Sequence, residues 1–119
     1  MSELSAVRSA LDRIRAEEHV RDVALISREG MFVMGNTPES THRETFSTMC
    51  AVIAGAGQTI TNEMKDRMER IKVMMGENDL VLIGAGPRYL IAVTVDRGMD
   101  DGRLVQEVRS VVENIENVL

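Results

Sequence analysis

Between Glu44 and Glu63 the chain carries no charged residue, although 28% of its residues are charged. A gap of that length arises by random placement roughly a few times in a thousand. Apolar residues within it recur at helical spacing: Phe46, Met49, Cys50, Ile53, Gly57, Ile60 and Met64 fall in one broad stripe that can face a sheet. The other side holds Thr48, Ala51, Val52, Gly55, Gln58, Thr59 and Asn62, where a solvated helix would carry Lys and Glu. The segment contains too much Thr, Ser, Gly, Gln and Asn to enter a bilayer, so no membrane span is expected. Ala51, Ala54, Gly55 and Gly57 are small, and each Gly costs roughly 1 kcal/mol of helix propensity against Ala. Close approach of a second backbone accounts for them. The simplest source is the same helix of another copy across a two-fold axis. The alternative is a helix buried within its own chain, for which the sequence offers few surrounding elements.

The flanking segments supply a small set of elements. Leu4, Val7, Leu11 and Ile14 mark an amphipathic first helix with Ser2 as its N-cap. From Val20 the pattern becomes apolar and β-branched. Arg28-Glu29-Gly30 then supplies turn chemistry, with Gly30 a candidate for positive φ, and Met31 to Met34 resumes the apolar run as the second strand of a hairpin. Gly35 to Ser40 ends it, and Thr41 with Glu44 fits a capping box for the long helix. Met68 to Met75 interleaves charged and apolar side chains, as an edge strand does. Gly76 to Asp79 is read as a turn. Leu80 to Ile83 and Tyr89 to Val95 are nearly continuous apolar runs joined by Gly84-Ala85-Gly86-Pro87-Arg88, which predicts interior strands covered on both faces. After a polar loop from Asp96 to Gly102, Leu104, Val108, Val111, Ile115 and Val118 form one stripe of a last helix, widened by Val105, Val112 and Leu119. The order α-β-β-α-β-β-β-α with short connections predicts an antiparallel sheet between helices, a three-layer α/β sandwich in a single domain over residues 1–119.

Composition narrows the function. A net charge of -5 with dispersed Lys and Arg leaves no basic stripe for nucleic acid. Phe32, Phe46 and Tyr89 are the only aromatic residues, so stacking platforms for bases or sugars are lacking, and Leu, Ile, Val, Ala and nine Met must fill the core. Cys50 stands alone and the chain opens with no charged-then-apolar leader, which points to a reducing cytoplasm. Its place at the margin of the sheet-facing stripe predicts a buried, inert thiol.

No catalytic constellation emerges. Gly55-Ala56-Gly57-Gln58-Thr59 lacks the leading Gly and the Lys of a phosphate loop and lies inside a helix. His19 and His42 have no Ser or Cys nucleophile at motif spacing. Glu17-Glu18 and Asp100-Asp101 have no His or Cys nearby to complete a metal site. No cofactor is expected. The edge strand beside the uncharged helix has backbone groups that need a partner, and pairing with its own copy would extend the sheet. Arg67, Arg70 and Lys72 then either solvate that strand or form a polar rim.

The element order, the hairpin Val23-Ala24-Leu25-Ile26-Ser27-Arg28-Glu29-Gly30, the small-residue second helix and the hairpin from Leu80 to Val95 together resemble the roadblock family of dynein-light-chain-like proteins. The likeness runs from about Val20 to Leu119, and its strongest local element is the strand ending in Ser27-x-x-Gly30. It implies a profilin-like, five-stranded antiparallel sheet with one helix on one face and two on the other. It also implies a homodimer through the second helix and third strand, placing Thr48, Ala51, Val52, Gly55, Gln58, Thr59 and Asn62 with Arg70, Lys72 and Met74 at the contact. The expected function is that of a non-enzymatic regulator or scaffold for a small Ras-like GTPase. A competing expectation is a small-molecule sensor of similar shape, which requires an apolar pocket lined by core Met and Ile.

Overall fold

A computed structural model describes residues 3–115. Its elements are α1 (Glu3–Arg15), β1 (Val20–Ser27), β2 (Phe32–Gly35), α2 (Arg43–Glu63), β3 (Ile71–Met74), β4 (Asn78–Ala85), β5 (Tyr89–Asp96) and α3 (Asp101–Ile115). The strands form one sheet in the order β2-β1-β5-β4-β3, and every pairing is antiparallel. Tight turns join β1 to β2 and β4 to β5. The single long-range pairing of β1 with β5 brings those two hairpins into one sheet.

Both faces are covered because β1, β4 and β5 alternate apolar with apolar. Val23, Leu25, Val81, Ile83, Ile91, Val93 and Val95 pack against Val7, Leu11 and Ile14 of α1 and Leu104, Val105, Val108 and Val111 of α3. Ala24, Ile26, Leu80, Leu82 and Ala92 turn the other way and pack with Cys50, Phe46 and Ile53 of α2. The three-layer antiparallel sandwich is thus as the sequence predicts, with two helices on one face and one on the other.

Several boundaries differ from the sequence reading. Leu4 is 63% exposed, and Ala10 completes the α1 stripe in its place. Thr41 forms no capping box: its hydroxyl donates to the Pro38 carbonyl at 2.6 Å, closing a turn, and His42 stands at the α2 N-cap without a side-chain hydrogen bond. β3 is shorter than its apolar-charged alternation suggests, because Glu69 and Arg70 precede it and Met75 lies beyond its end. Gly84 and Ala85 belong to β4, not to the turn, and Asn78 and Asp79 already belong to that strand. Ser2, Val118, Leu119 and the Ile115 side chain lie outside the described residues. Gly30 does take φ +100°, and a Cβ there would sit 3.2 Å from the Thr48 Cα, so only glycine fits the turn beneath α2.

Candidate functional site

The uncharged helix lies over the sheet as a single outer layer, so half of its circumference has nothing from the described residues above it. Its buried row is Ser47, Cys50 and Ala54, with Phe46, Ile53 and Gly57 half-buried. Ser47 can be buried because its hydroxyl donates to the Arg43 carbonyl at 2.8 Å. The row is therefore rotated from the predicted stripe, and Met49, Ile60 and Met64 are not beneath the helix but exposed, at 49%, 60% and 71%. Gly57 explains the shift locally: a Cβ on it would stand 2.5 Å from Ile71 Cδ1 and 3.1 Å from Met68 Sδ. Its smallness serves contact with β3 of the same chain.

The outer face divides into two strips. Met49, Val52, Ala56 and Ile60 recur at three- and four-residue spacing as one exposed, largely apolar ridge. Beside it run Thr48, Gly55, Thr59 and Asn62, all exposed. Their polar groups are paired within the helix: the Thr59 hydroxyl donates to the Gly55 carbonyl at 2.9 Å, and Gln58 Nε2 donates to Asn62 Oδ1 at 2.9 Å. Polar side chains so engaged lose little when water is removed. A Cβ added at Gly55 would meet nothing within 4 Å. Ala51 and Gln58 are half-buried, and Thr48 and Ala51 lie against Gly30 of the hairpin turn.

Of the three residues assigned to the neighbouring strand, Arg70 and Lys72 turn their side chains away from α2. Ile71 and Val73 face α2, so alternation turns Lys72 to the opposite side of the sheet. There Lys72 Nζ stands 3.6 Å from Asp79 Oδ2 and 3.7 Å from Asp101 Oδ1, while Arg70 Nε donates to Asp101 Oδ2 at 2.8 Å and Arg70 Nη1 to Glu69 Oε1 at 2.6 Å. Burial acts to raise the Asp101 carboxyl, but the Arg70 hydrogen bond and charge, with Lys72, hold it below the usual carboxylate range. These cations therefore clamp the start of α3 to the edge strand, and only Met74, 66% exposed, is fully open at that edge. Val52, Gly55, Thr59 and Asn62 share the exposed side of α2, and Gly57 of the same helix meets Ile71 of the edge strand β3. Met49, Ile60 and Met64 join them, and sequence reasoning missed these three. Their signal was an excess of apolar positions over what one sheet-facing row can use.

Burial pushes the Cys50 thiol up to about 11, which leaves it protonated and inert. His19 Nδ1 lies 3.2 Å from Asp96 Oδ2, and Arg21 Nε donates to the other Asp96 oxygen. The Arg21 hydrogen bond, then the His19 contact, lower the Asp96 carboxyl. One surface groove, of about 340 Å³, is lined by Glu17, Glu18, His19, Asp96 and Arg97 among others. Its apolar side is made by Met99 and Leu104, with no Ile. No described helix is long and apolar enough to cross a membrane.

The chain is similar in fold to MglB from Myxococcus xanthus, with a TM-score of 0.85 at 12% identity over 98% of this chain and 97% of that one. It is similar to an MglB with tetrameric arrangement at a TM-score of 0.84 and 18% identity, covering 99% and 90%. A Roadblock/LC7 domain from Streptomyces avermitilis gives 0.82 at 14% identity, covering 93% and 95%. No curated protein matches the chain in sequence. The sequence profile of the Roadblock/LC7 domain matches residues 7–94, most of the chain. The chain belongs to the Roadblock/LC7 domain family.

Proposed function

We propose that the chain is a non-catalytic regulatory protein in which two copies, each a single domain over residues 1–119, pair through the outer face of α2 and the free edge of β3. The observation that carries this reading is the exposed ridge of Met49, Val52 and Ile60 running beside Gly55, on a helix with no charge to keep it in water. Glycine and small polar residues let two such helices approach closely, and the unpaired β3 edge can continue the sheet into the second copy. Thr48, Ala51 and Gln58 flank that contact and Met74 lies at its rim, whereas Arg70 and Lys72 turn their side chains to Asp101 on the other face. The tetrameric arrangement described for one MglB supports self-association on this fold.

The paired unit would then bind and modulate a small Ras-like GTPase in the cytoplasm. Family membership supports this step. Sedimentation tests the first half: a monomer at micromolar concentration overturns it. The second half is tested with a Ras-like GTPase from the same cell, in GDP- and GTP-loaded forms. Binding to one form with a changed hydrolysis rate is expected; no binding to either rejects the regulatory reading.

A further inference from the structure

The edge strand that two paired copies would share carries two cations. Arg70 and Lys72 alternate with Ile71 and Val73, so both side chains lie on the α3 side of the sheet. β3 itself is only four residues long and ends the sheet. Two copies of it laid antiparallel about a two-fold axis therefore bring Arg70 and Lys72 of one chain beside those of the other, at a strand separation of roughly 4.8 Å. Like charges opposite each other on neighbouring strands oppose pairing. Two of the carboxylates that offset them, Asp79 and Asp101, stand farther from the axis, on β4 and α3, so the cations are the nearer charges across it.

Within one chain the two cations are drawn off that edge. Asp101, in the first turn of α3, accepts from Arg70 Nε at 2.8 Å through Oδ2, and its Oδ1 stands 3.7 Å from Lys72 Nζ. Among the described residues it is the carboxylate that meets both. Lys72 has a second tie. Asp79 is fully buried, its Oδ2 lies 3.6 Å from Lys72 Nζ, and its Oδ1 has no hydrogen-bond partner among the described residues. If Lys72 swung outward it would leave a buried carboxylate without a cation, which is strongly unfavourable. Arg70 lacks such an anchor. Its other contact is Glu69, its exposed neighbour in sequence, which moves with it.

The geometry points to Asp101 as a positioning residue for pairing: from the start of α3 it holds the Arg70 guanidinium away from the shared edge and so lowers the repulsion between two copies. This rests on the pairing proposed in the preceding section. It assigns part of the control of that contact to a helix on the opposite face of the sheet from α2. Lys72 stays in place without Asp101, because Asp79 still holds it; Arg70 is the side chain that Asp101 governs.

The test is sedimentation equilibrium of the full chain at about 0.1 M and about 1 M salt, where charges are screened over roughly 10 Å and 3 Å. Asp101→Asn is expected to pair about tenfold more weakly than the parent at the lower salt, the product of two roughly threefold losses, one from each copy. At the higher salt it should pair within about twofold of the parent. Adding Arg70→Gln to Asp101→Asn should restore parental pairing at both salts, since a neutral side chain has nothing to repel. Arg70→Gln alone, which leaves Asp101 intact, should pair no more weakly than the parent. Urea unfolding at matched monomer concentration checks that each variant is folded. If Asp101 acted only by packing α3, the deficit would be indifferent to salt and unrelieved by Arg70→Gln. That pattern, unchanged pairing in Asp101→Asn, or weaker pairing in Arg70→Gln alone overturns the inference. A monomeric parent rejects the pairing itself, whereas a dimeric parent matched by its Asp101→Asn variant rejects only the role of Asp101.

Discussion

Gly55→Glu separates the fold of one chain from the pairing of two. A Cβ at Gly55 meets nothing within 4 Å, so the glutamate points into open space in a single copy. It also replaces a poor helix former with a good one, a gain of about 0.5–0.8 kcal/mol for the isolated chain. In the proposed pair the same carboxylate is buried opposite a small-residue helix that offers no cation, because no charge lies between Glu44 and Glu63. An uncompensated buried charge costs about 3–5 kcal/mol, which weakens association by about two to four powers of ten. Sedimentation equilibrium over a concentration series reads the association, and urea unfolding reads the chain. The expected result is a variant that is monomeric where the parent is dimeric, yet at least as resistant to urea at matched monomer concentration. Ser9→Glu, on the exposed side of α1, should leave both unchanged. A dimer constant within about threefold of the parent for Gly55→Glu would show that α2 is not the contact.

Three further outcomes follow from the packing. Asp101→Asn removes the carboxylate that holds Arg70 and Lys72, and should cost about 1–2 kcal/mol in urea unfolding at neutral pH. Because the folded Asp101 pKa lies below its ordinary value of 3.8, this contribution is complete above that pH and is lost as pH falls through the lower folded value; a difference from the parent that persists undiminished in strong acid contradicts the ion-pair reading. Cys50, at about 11, should be only about one part in a thousand thiolate near pH 8. A thiol reagent should therefore label the native protein far more slowly than the urea-unfolded one, and equal rates would show that the thiol is accessible. Gly30→Ala forces a side chain into φ +100° against the Thr48 backbone and should destabilise by about 1–3 kcal/mol, measured by thermal or urea unfolding; no loss would show that the turn can rearrange.

The residues that betrayed the architecture are those whose neighbours in sequence are also neighbours in space. Gly30 was legible because turn chemistry is local, and the edge position of β3 because its charged side chains alternate with apolar ones. The capping box at Thr41 failed for the same kind of reason: a competing local bond, to the Pro38 carbonyl, uses the hydroxyl first. The interaction face was half legible. The absence of charge marked α2 as unusual, but a helical wheel cannot say how far the helix is rotated on a sheet whose apolar side chains lie distant in sequence.

The sequence by itself determined the element order, the antiparallel pairing and the burial of Cys50, because periodicity and short connections act over a few residues. Tertiary structure alone decided that Met49, Ile60 and Met64 are exposed, that Gly57 yields to Ile71, and that Arg70 and Lys72 turn to Asp101 on the far side of the sheet. Each of these depends on the register between strands far apart in the chain, and register is fixed by the whole core at once.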